Sequence, residues 1–254
     1  MTKEIDINSD VGESFGNYKI GNDEKIVKYI TSINAACGYH AGDPLVIKDT
    51  VKLAKKYNLA IGAHPGLPDL MGFGRREMSI TEEEAKYYTI YQVGALKAFV
   101  EAVDMKLHHF KPHGAFWRIT RHNENLTRAI LEAVLDADKN IRFIYCPAPT
   151  HHFKYQKIAE ELNMKVIGEF YVDLQYALDG TLVSKRQMHM IDVKETVNRV
   201  IRFIDDGKVK TVEGKDLEFQ AESLCVHGDS PAALEVLRTL RIELEKANIN
   251  ITAP

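Results

Sequence analysis

Four apolar runs of this sequence end on a histidine with glycine close by: Cys37-Gly38-Tyr39-His40-Ala41-Gly42-Asp43, Ala63-His64-Pro65-Gly66, Lys111-Pro112-His113-Gly114 and Val226-His227-Gly228-Asp229. A fifth, Ile5 to Glu13, closes with two carboxylates, Asp10 and Glu13, on either side of Gly12. Imidazole and carboxylate groups at such turns move protons or bind metal, and glycine lets the backbone turn sharply and approach a ligand closely. The pattern reads as the mouths of parallel strands in an enzyme.

The spacing within each run narrows the candidates. Lys111 and His113 alternate around Pro112, so a period of two places them on one face of a strand end. A lysine among apolar strand residues is costly to bury without an anionic partner. Lys111 therefore either holds a substrate carboxylate or a developing oxyanion, or forms a salt bridge to Asp10, Glu13 or Asp173. Asp6, Asn8 and Asp10 share the same period and give the first strand one polar face. His40 and Asp43 can face one site, although Asp43 also suits a helix N-cap before Pro44. His64 precedes a proline, which enforces extended geometry; it either acts or satisfies a backbone group. Asp229 either joins His227 at the last strand or caps a helix opening at Ser230-Pro231. Arg75, in the loop Gly72-Phe73-Gly74-Arg75-Arg76, either clamps a carboxylate or is a solvated loop charge.

The expected catalytic set is Asp10, Glu13, His40, Lys111, His113 and Asp229, with Asn8, His64, Arg75 and His227 contacting substrate. Mixed histidine and carboxylate groups can also hold a divalent ion, for which Asp10, His40, His64 and His227 are the candidate ligands. Cys37-x-x-His40 has zinc-like spacing, but it stands without a second pair. His108 and His109 read as lying within the strand or on its outer side and His122, His151 and His152 as starting helices, caps or surface residues in each case. There is no phosphate-binding G-x-x-x-x-G-K-[ST], no complete dinucleotide fingerprint and no G-x-S-x-G elbow.

Alternating elements must position these groups. Short apolar runs predict strands near 4–8, 33–37, 59–63, 107–111, 141–146, 165–170 and 222–226. Helical patterns fall near 23–30, 44–57, 81–103, 124–137, 150–163, 192–206 and 231–247, the third opening with the capping-box pattern Thr81-Glu82-Glu83-Glu84. Such alternation builds a parallel sheet, open or closed. Chemically loaded residues follow at least five of the seven strands, whereas an open sheet gathers its site at one switch point. The expectation is an α/β barrel of seven strands. Segment 171–191 is long enough for a lid over its mouth, and Val209 to Phe219 reads as a hairpin.

Composition bounds the rest. The 254 residues suit one barrel domain spanning 1–254, with 45% apolar and 27% charged residues. A net charge of −3 carries no basic footprint for nucleic acid and no polybasic membrane patch. No apolar run approaches the length of a membrane span, and three cysteines, an odd count, read as reduced thiols, so a cytoplasmic protein is expected. A homo-oligomer is compatible with all of this.

At these residues the chain resembles the LamB/YcsF family, the A subunits of the prokaryotic 5-oxoprolinase. The resemblance rests on Ile7 to Glu13, Ala36 to Asp43, Gly62 to Pro65 with Pro68-Asp69, Gly72 to Arg76, Lys111 to Ala115 and Cys225 to Asp229, in order along nearly the whole chain. It implies a TIM-like (β/α)7 barrel of the glycoside hydrolase/deacetylase type. It also implies ATP-dependent opening of 5-oxo-L-proline to L-glutamate, with ATP a co-substrate handled together with the B and C subunits. Asp173 enters the substrate-binding set on this ground. Two stretches depart from the family pattern. Leu-Tyr-Asn becomes Phe116-Trp117-Arg118, and two arginines become Leu174 and Lys185. The alternatives are a stand-alone metal-dependent amide hydrolase of the deacetylase type and a catalytically silent, small-acid-binding subunit. Stoichiometric metal would mark the first, and tolerance of His113→Ala the second.

Overall fold

A computed structural model describes residues 3–120, 123–148, 152–183 and 192–254. Six strands come first: β1 (Glu4–Val11), β2 (Ser32–Ala36), β3 (Ala60–His64), β4 (His109–Phe110), β5 (Phe143–Pro147) and β6 (Lys165–Tyr171). Two antiparallel hairpins follow, β7 (Gln175–Tyr176) with β8 (Leu182–Val183) and β9 (Lys208–Lys210) with β10 (Asp216–Glu218). β11 (Ser223–Cys225) then pairs in parallel with both β6 and β1, and so closes a seven-stranded TIM-like barrel in the order β1-β2-β3-β4-β5-β6-β11. A short β12 (Asn250–Ile251) lies alongside the start of β1.

The connecting helices are α1 (Asp23–Ile26), α2 (Pro44–Tyr57), α3 (Glu82–Glu101), α4 (Gly114–Thr120), α5 (Glu124–Ala137), α6 (His152–Glu161), α7 (Val193–Asp206) and α8 (Ala233–Lys246). Their ends follow local chemistry. The Asp43 carboxylate accepts from the Leu45 and Val46 amides, with Pro44 at the first position, so Asp43 is the cap of α2. The Thr81–Glu84 capping box opens α3 with both of its reciprocal bonds. Two helical expectations need correction. The run from 23 to 30 yields one helical turn, and α4 forms where no element was expected. Gly-Ala-Phe-Trp-Arg-Ile-Thr is short and rich in weak helix formers, and Ala115 is drawn in because its amide donates to Gly74 O. The described part of segment 171–191 is the β7–β8 hairpin; Ser184 to Ile191, Lys185 among them, lie outside the described residues, as do His122 and His151.

The strands are buried on both faces, but the two faces differ in kind. Outward residues such as Ile7, Ile33, Ile61, Phe110, Ile144, Phe170 and Leu224 pack with the helices in one apolar cluster. Inward positions carry Asp6, Asn8 and Asp10 on β1, Ser32 and Asn34 on β2, and Ser223 and Cys225 on β11, all of them buried. Buried polar groups require partners. Asp6 at the floor accepts from Thr31, Ser32, Tyr145 and Ser223, and burial still raises its carboxyl above the usual range.

The barrel also makes room for rings. A Cβ on Gly62 would run into the imidazole of His109, which is fully buried and donates through Nε2 to Asn34 Oδ1 at 2.8 Å. His109 is thus an interior hub and no surface residue, correcting the sequence expectation. Because that hydrogen bond pins the ring, Gly62→Ala is expected to destabilise by about 1–3 kcal/mol. Urea unfolding should show the lowered midpoint, largely restored by adding His109→Ala.

Candidate active site

Above the floor, the inward residues converge on one ammonium. Lys111 continues β4 and places Nζ 2.8 Å from Asp10 Oδ1 and 3.1 Å from Glu169 Oε1, with Asn8 Oδ1 at 3.4 Å and Cys225 Sγ at 3.3 Å. The salt bridge to Asp10 is therefore present. Its second carboxylate is Glu169, for which the sequence reading had no role. Burial works against the Lys111 charge, but the surrounding anions, Asp10 foremost, hold its pKa well above the usual value. Burial likewise opposes ionised Asp10, yet His64 and Lys111 keep its carboxyl well below the usual range. Asn8 lies within this lattice. Its amide donates to Glu169 and Ser223 and its oxygen accepts from Asn34, so it braces the layer below the cavity instead of lining it.

The barrel mouth opens into a cavity of about 710 Å³ whose walls include Asp10, Glu13, His64, Arg75, Lys111, His113, Asp173, His227 and Asp229. Nine of the eleven expected site residues meet there; Asn8 and His40 do not. On one side His227 Nδ1 sits 2.8 Å from Asp173 Oδ2, and its Nε2 lies 3.8 Å from Asp10 Oδ2. Burial disfavours an imidazolium, but Asp173, by charge and hydrogen bond, and then Asp10 push His227 up to about 9. Asp229 is half-buried, and α8 starts four residues later without a side-chain cap, so Asp229 faces the cavity and caps nothing there. Burial raises its carboxyl. Glu13 is pushed up to about 7 by burial and by the neighbouring Asp10 charge.

The other side is a nest of imidazoles. His40 stacks on His113 with ring centroids 3.8 Å apart, and Gly66 and Gly74 clear the space: a Cβ would come within 2.5 Å of His40 Nδ1 from the one and 2.6 Å of His40 Cβ from the other. His64 donates from Nδ1 to Lys111 O at 2.7 Å, a backbone anchor that also aims its Nε2 inwards. The candidate metal ligands regroup accordingly. Asp10, His40, His64 and His227 do not form one cluster; among the described residues the close groups are Glu13-His40-His64-His113 and Asp10-Cys225-His227. Cys37 and His40 are not a ligand pair, because Cys37 faces the outer apolar core, where burial pushes its thiol up to about 12. All three cysteines are free and buried.

Two measurements test this electrostatic layout. A histidine raised in the folded state contributes stability that is complete below the unfolded value near 6.5 and is lost as pH climbs through about 9. The wild type should lose up to about 3 kcal/mol between those limits relative to Asp173→Asn, and ring NMR of His227 should show the high titration collapse in that variant. Lys111→Met leaves Asp10 and Glu169 buried together without a cation. It should cost about 3–5 kcal/mol by chemical unfolding, and adding Glu169→Gln should return part of the loss.

The sequence model described as the LamB/YcsF family matches residues 5–254. The chain is similar to the A subunit of 5-oxoprolinase from Thermococcus sibiricus (strain DSM 12597 / MM 739), at 50% identity over 251 residues, covering 98% of this chain and 97% of that protein. The corresponding protein of Pyrococcus abyssi (strain GE5 / Orsay) is 47% identical over 249 residues, covering 97% and 96%. Among solved structures, a lactam utilization protein from Thermus thermophilus superposes with a TM-score of 0.89 at 37% identity, over 99% of this chain and all of that one. Family motifs, barrel closure and near-complete coverage agree, and the chain belongs to the LamB/YcsF family.

Proposed function

We propose that this chain is the lactam-handling A subunit of a cytoplasmic, ATP-dependent 5-oxoprolinase, opening 5-oxo-L-proline to L-glutamate together with B and C subunits. The observation that carries the reading is the charge layout of the mouth. The cavity holds fixed cations, Lys111 and imidazolium His227, beside two carboxyls, Glu13 and Asp229, whose proton affinity is raised. Relatives named as the A subunit of 5-oxoprolinase, similar over nearly the whole chain, support the substrate.

The chemistry follows from those groups. In lactam hydrolysis the oxygen of water joins the ring carbonyl carbon, the C–N bond breaks and the nitrogen takes up a proton. Negative charge grows on the carbonyl oxygen in the transition state, where a preorganised cation such as Lys111 is worth more than it is in water. The ring carboxylate is matched by His227, steered by Asp173, and by Arg75 at the rim. Glu13, pushed up to about 7, is able to hand a proton to the leaving nitrogen, since an acid works best with a pKa near the working pH, and Asp229, raised by burial, stands on the same cavity wall. A five-membered lactam recloses readily because its ends are held together. Coupling to ATP on partner subunits supplies the drive for opening, and no phosphate-binding loop occurs in this sequence.

Co-expression with B and C subunits should yield a complex whose ATP hydrolysis depends on 5-oxoproline and releases glutamate. A folded complex that consumes no ATP with this lactam would end the reading. Arg75 is exposed at the rim. Arg75→Met should therefore raise the 5-oxoproline concentration needed by about tenfold or more while leaving the unfolding midpoint unchanged.

A further inference from the structure

The imidazole nest contains a conflict of lone pairs. His64 Nδ1 and His113 Nε2 each lie against a carbonyl oxygen, Lys111 O at 2.7 Å and Phe73 O at 2.8 Å. A carbonyl only accepts, so those two nitrogens carry the protons. Their other nitrogens, His64 Nε2 and His113 Nδ1, must then both be acceptors, yet they face each other at 3.0 Å. Around them stand further acceptors. Glu13 Oε1 lies 3.8 Å from His113 Nδ1 and 3.5 Å from His40 Nε2, and Glu13 Oε1 and both His40 ring nitrogens are buried without a hydrogen-bond partner among the described residues. His40 is wholly excluded from solvent. Unsatisfied buried polar atoms are costly, and even with the single N–H of a neutral His40 counted, the lone pairs of His64 Nε2, His113 Nδ1 and Glu13 Oε1 outnumber the donors that face them, which makes the nest a cavity for a cation.

We infer that Glu13, His40, His64 and His113 form a binding site for one divalent transition-metal ion. One ligand atom from each lies within 4.8 Å of the others. Three neutral imidazoles and a carboxylate are borderline donors, suited to Zn²⁺ and its first-row neighbours and poor for Mg²⁺ or Ca²⁺. The carbonyls of Lys111 and Phe73 supply the outer bonds that fix tautomer and ring orientation for metal-ligating histidines. Glycines at 66 and 74 keep His40 and His113 pressed together, so the site is held by the fold instead of by a mobile loop. An ion there would border the lactam cavity, since Glu13, His64 and His113 line its wall, and would supply Lewis-acid polarisation or an activated water. With Glu13 engaged as a ligand, proton transfer at the mouth falls to Asp229. The competing occupant is a proton bridging His64 Nε2 and His113 Nδ1, 3.0 Å apart, with Asp10 Oδ2 3.4 Å from His64 Nε2.

Equilibrium dialysis of the full-length chain against Zn²⁺, after chelator treatment and with bound metal counted by mass spectrometry, separates the two. It is done without lactam, ATP or partner subunits, so a failed functional reading would leave it intact. The expected result is one Zn²⁺ per chain, with a raised unfolding midpoint. Affinity should fall by about a hundredfold or more, beyond what outer partners command, in Glu13→Gln and in His113→Ala, and stay unchanged in His108→Gln. Co²⁺ loading should show ligand-field bands without thiolate charge transfer. Less than stoichiometric binding by the folded wild type, or affinity retained in both site variants, would overturn the inference. A strong thiolate-to-cobalt band would also overturn it by moving the ion to Cys225.

Discussion

The ammonium of Lys111 is the one buried charge on which the rest of this barrel depends. Removing a cation from water costs several kcal/mol, and only well-placed opposite charges with further hydrogen bonds offset that loss. Here the offset comes from Asp10 on β1 and Glu169 on β6, strands that do not neighbour β4. The triad therefore spans the barrel interior and ties three distant stretches of sequence together. Each carboxylate is held in turn by amides: Asn34 donates to Asp10, and Asn8 donates to Glu169. Taking away one member leaves the others charged with nowhere to discharge, which is why the layer behaves as a unit.

The same triad shapes the chemistry above it. Asp10 stays ionised because His64 and Lys111 favour its charge, and its Oδ2 lies 3.4 Å from His64 Nε2 and 3.8 Å from His227 Nε2. That fixed charge also disfavours ionisation of Glu13, whose carboxyl consequently holds its proton to about 7. Two carboxylates on either side of Gly12 are thus driven to opposite protonation behaviour by their surroundings. The polar barrel interior is a charge-positioning device and its apolar stability comes from the outer face, where strands meet helices.

Much of this was legible in the sequence because β-strands have a strict period. Asp6-x-Asn8-x-Asp10 and Lys111-x-His113 announced inward polar faces, and short apolar runs located all seven barrel strands. What failed was partner identity. The argument that a buried lysine requires an anion applies equally to Glu169 within Ile167-Gly168-Glu169-Phe170, and to Asn34 within Ile33-Asn34-Ala35, but sequence shows the cost of such a residue and not the group that meets it. His109 was misplaced because adjacent histidines compete for the inside, and the vacancy left by Gly62 on the neighbouring strand decides between them. Cys37 and His40 look like a ligand pair in sequence; the strand's alternation sends the thiol outward, while the turn beyond the strand end brings the imidazole into the nest.

Three of the departures from the family pattern, Trp117, Arg118 and Leu174, fall on the cavity wall, while Phe116 packs in the apolar core. Trp117 and Arg118 on α4 both line the cavity, and Arg118 pairs with Glu77 while donating to Arg75 O, so the substituted helix steadies the rim loop that carries Arg75. At Leu174 the missing guanidinium has a neighbour in Arg199, but that group is already committed to the carbonyls of Tyr171, Val172 and Leu174. Arg199 consequently cannot replace a bidentate carboxylate clamp; its bonds hold the segment bearing Asp173 in place. On the lactam reading proposed above, a ligand carboxylate would meet Arg75 and His227, both on the cavity wall. Arginine binds a carboxylate through a planar fork, whereas an imidazolium offers single directed bonds, and Arg75 and His227 present one of each on the wall. The triad, the Asp173–His227 pair and the imidazole nest contain none of the substituted residues.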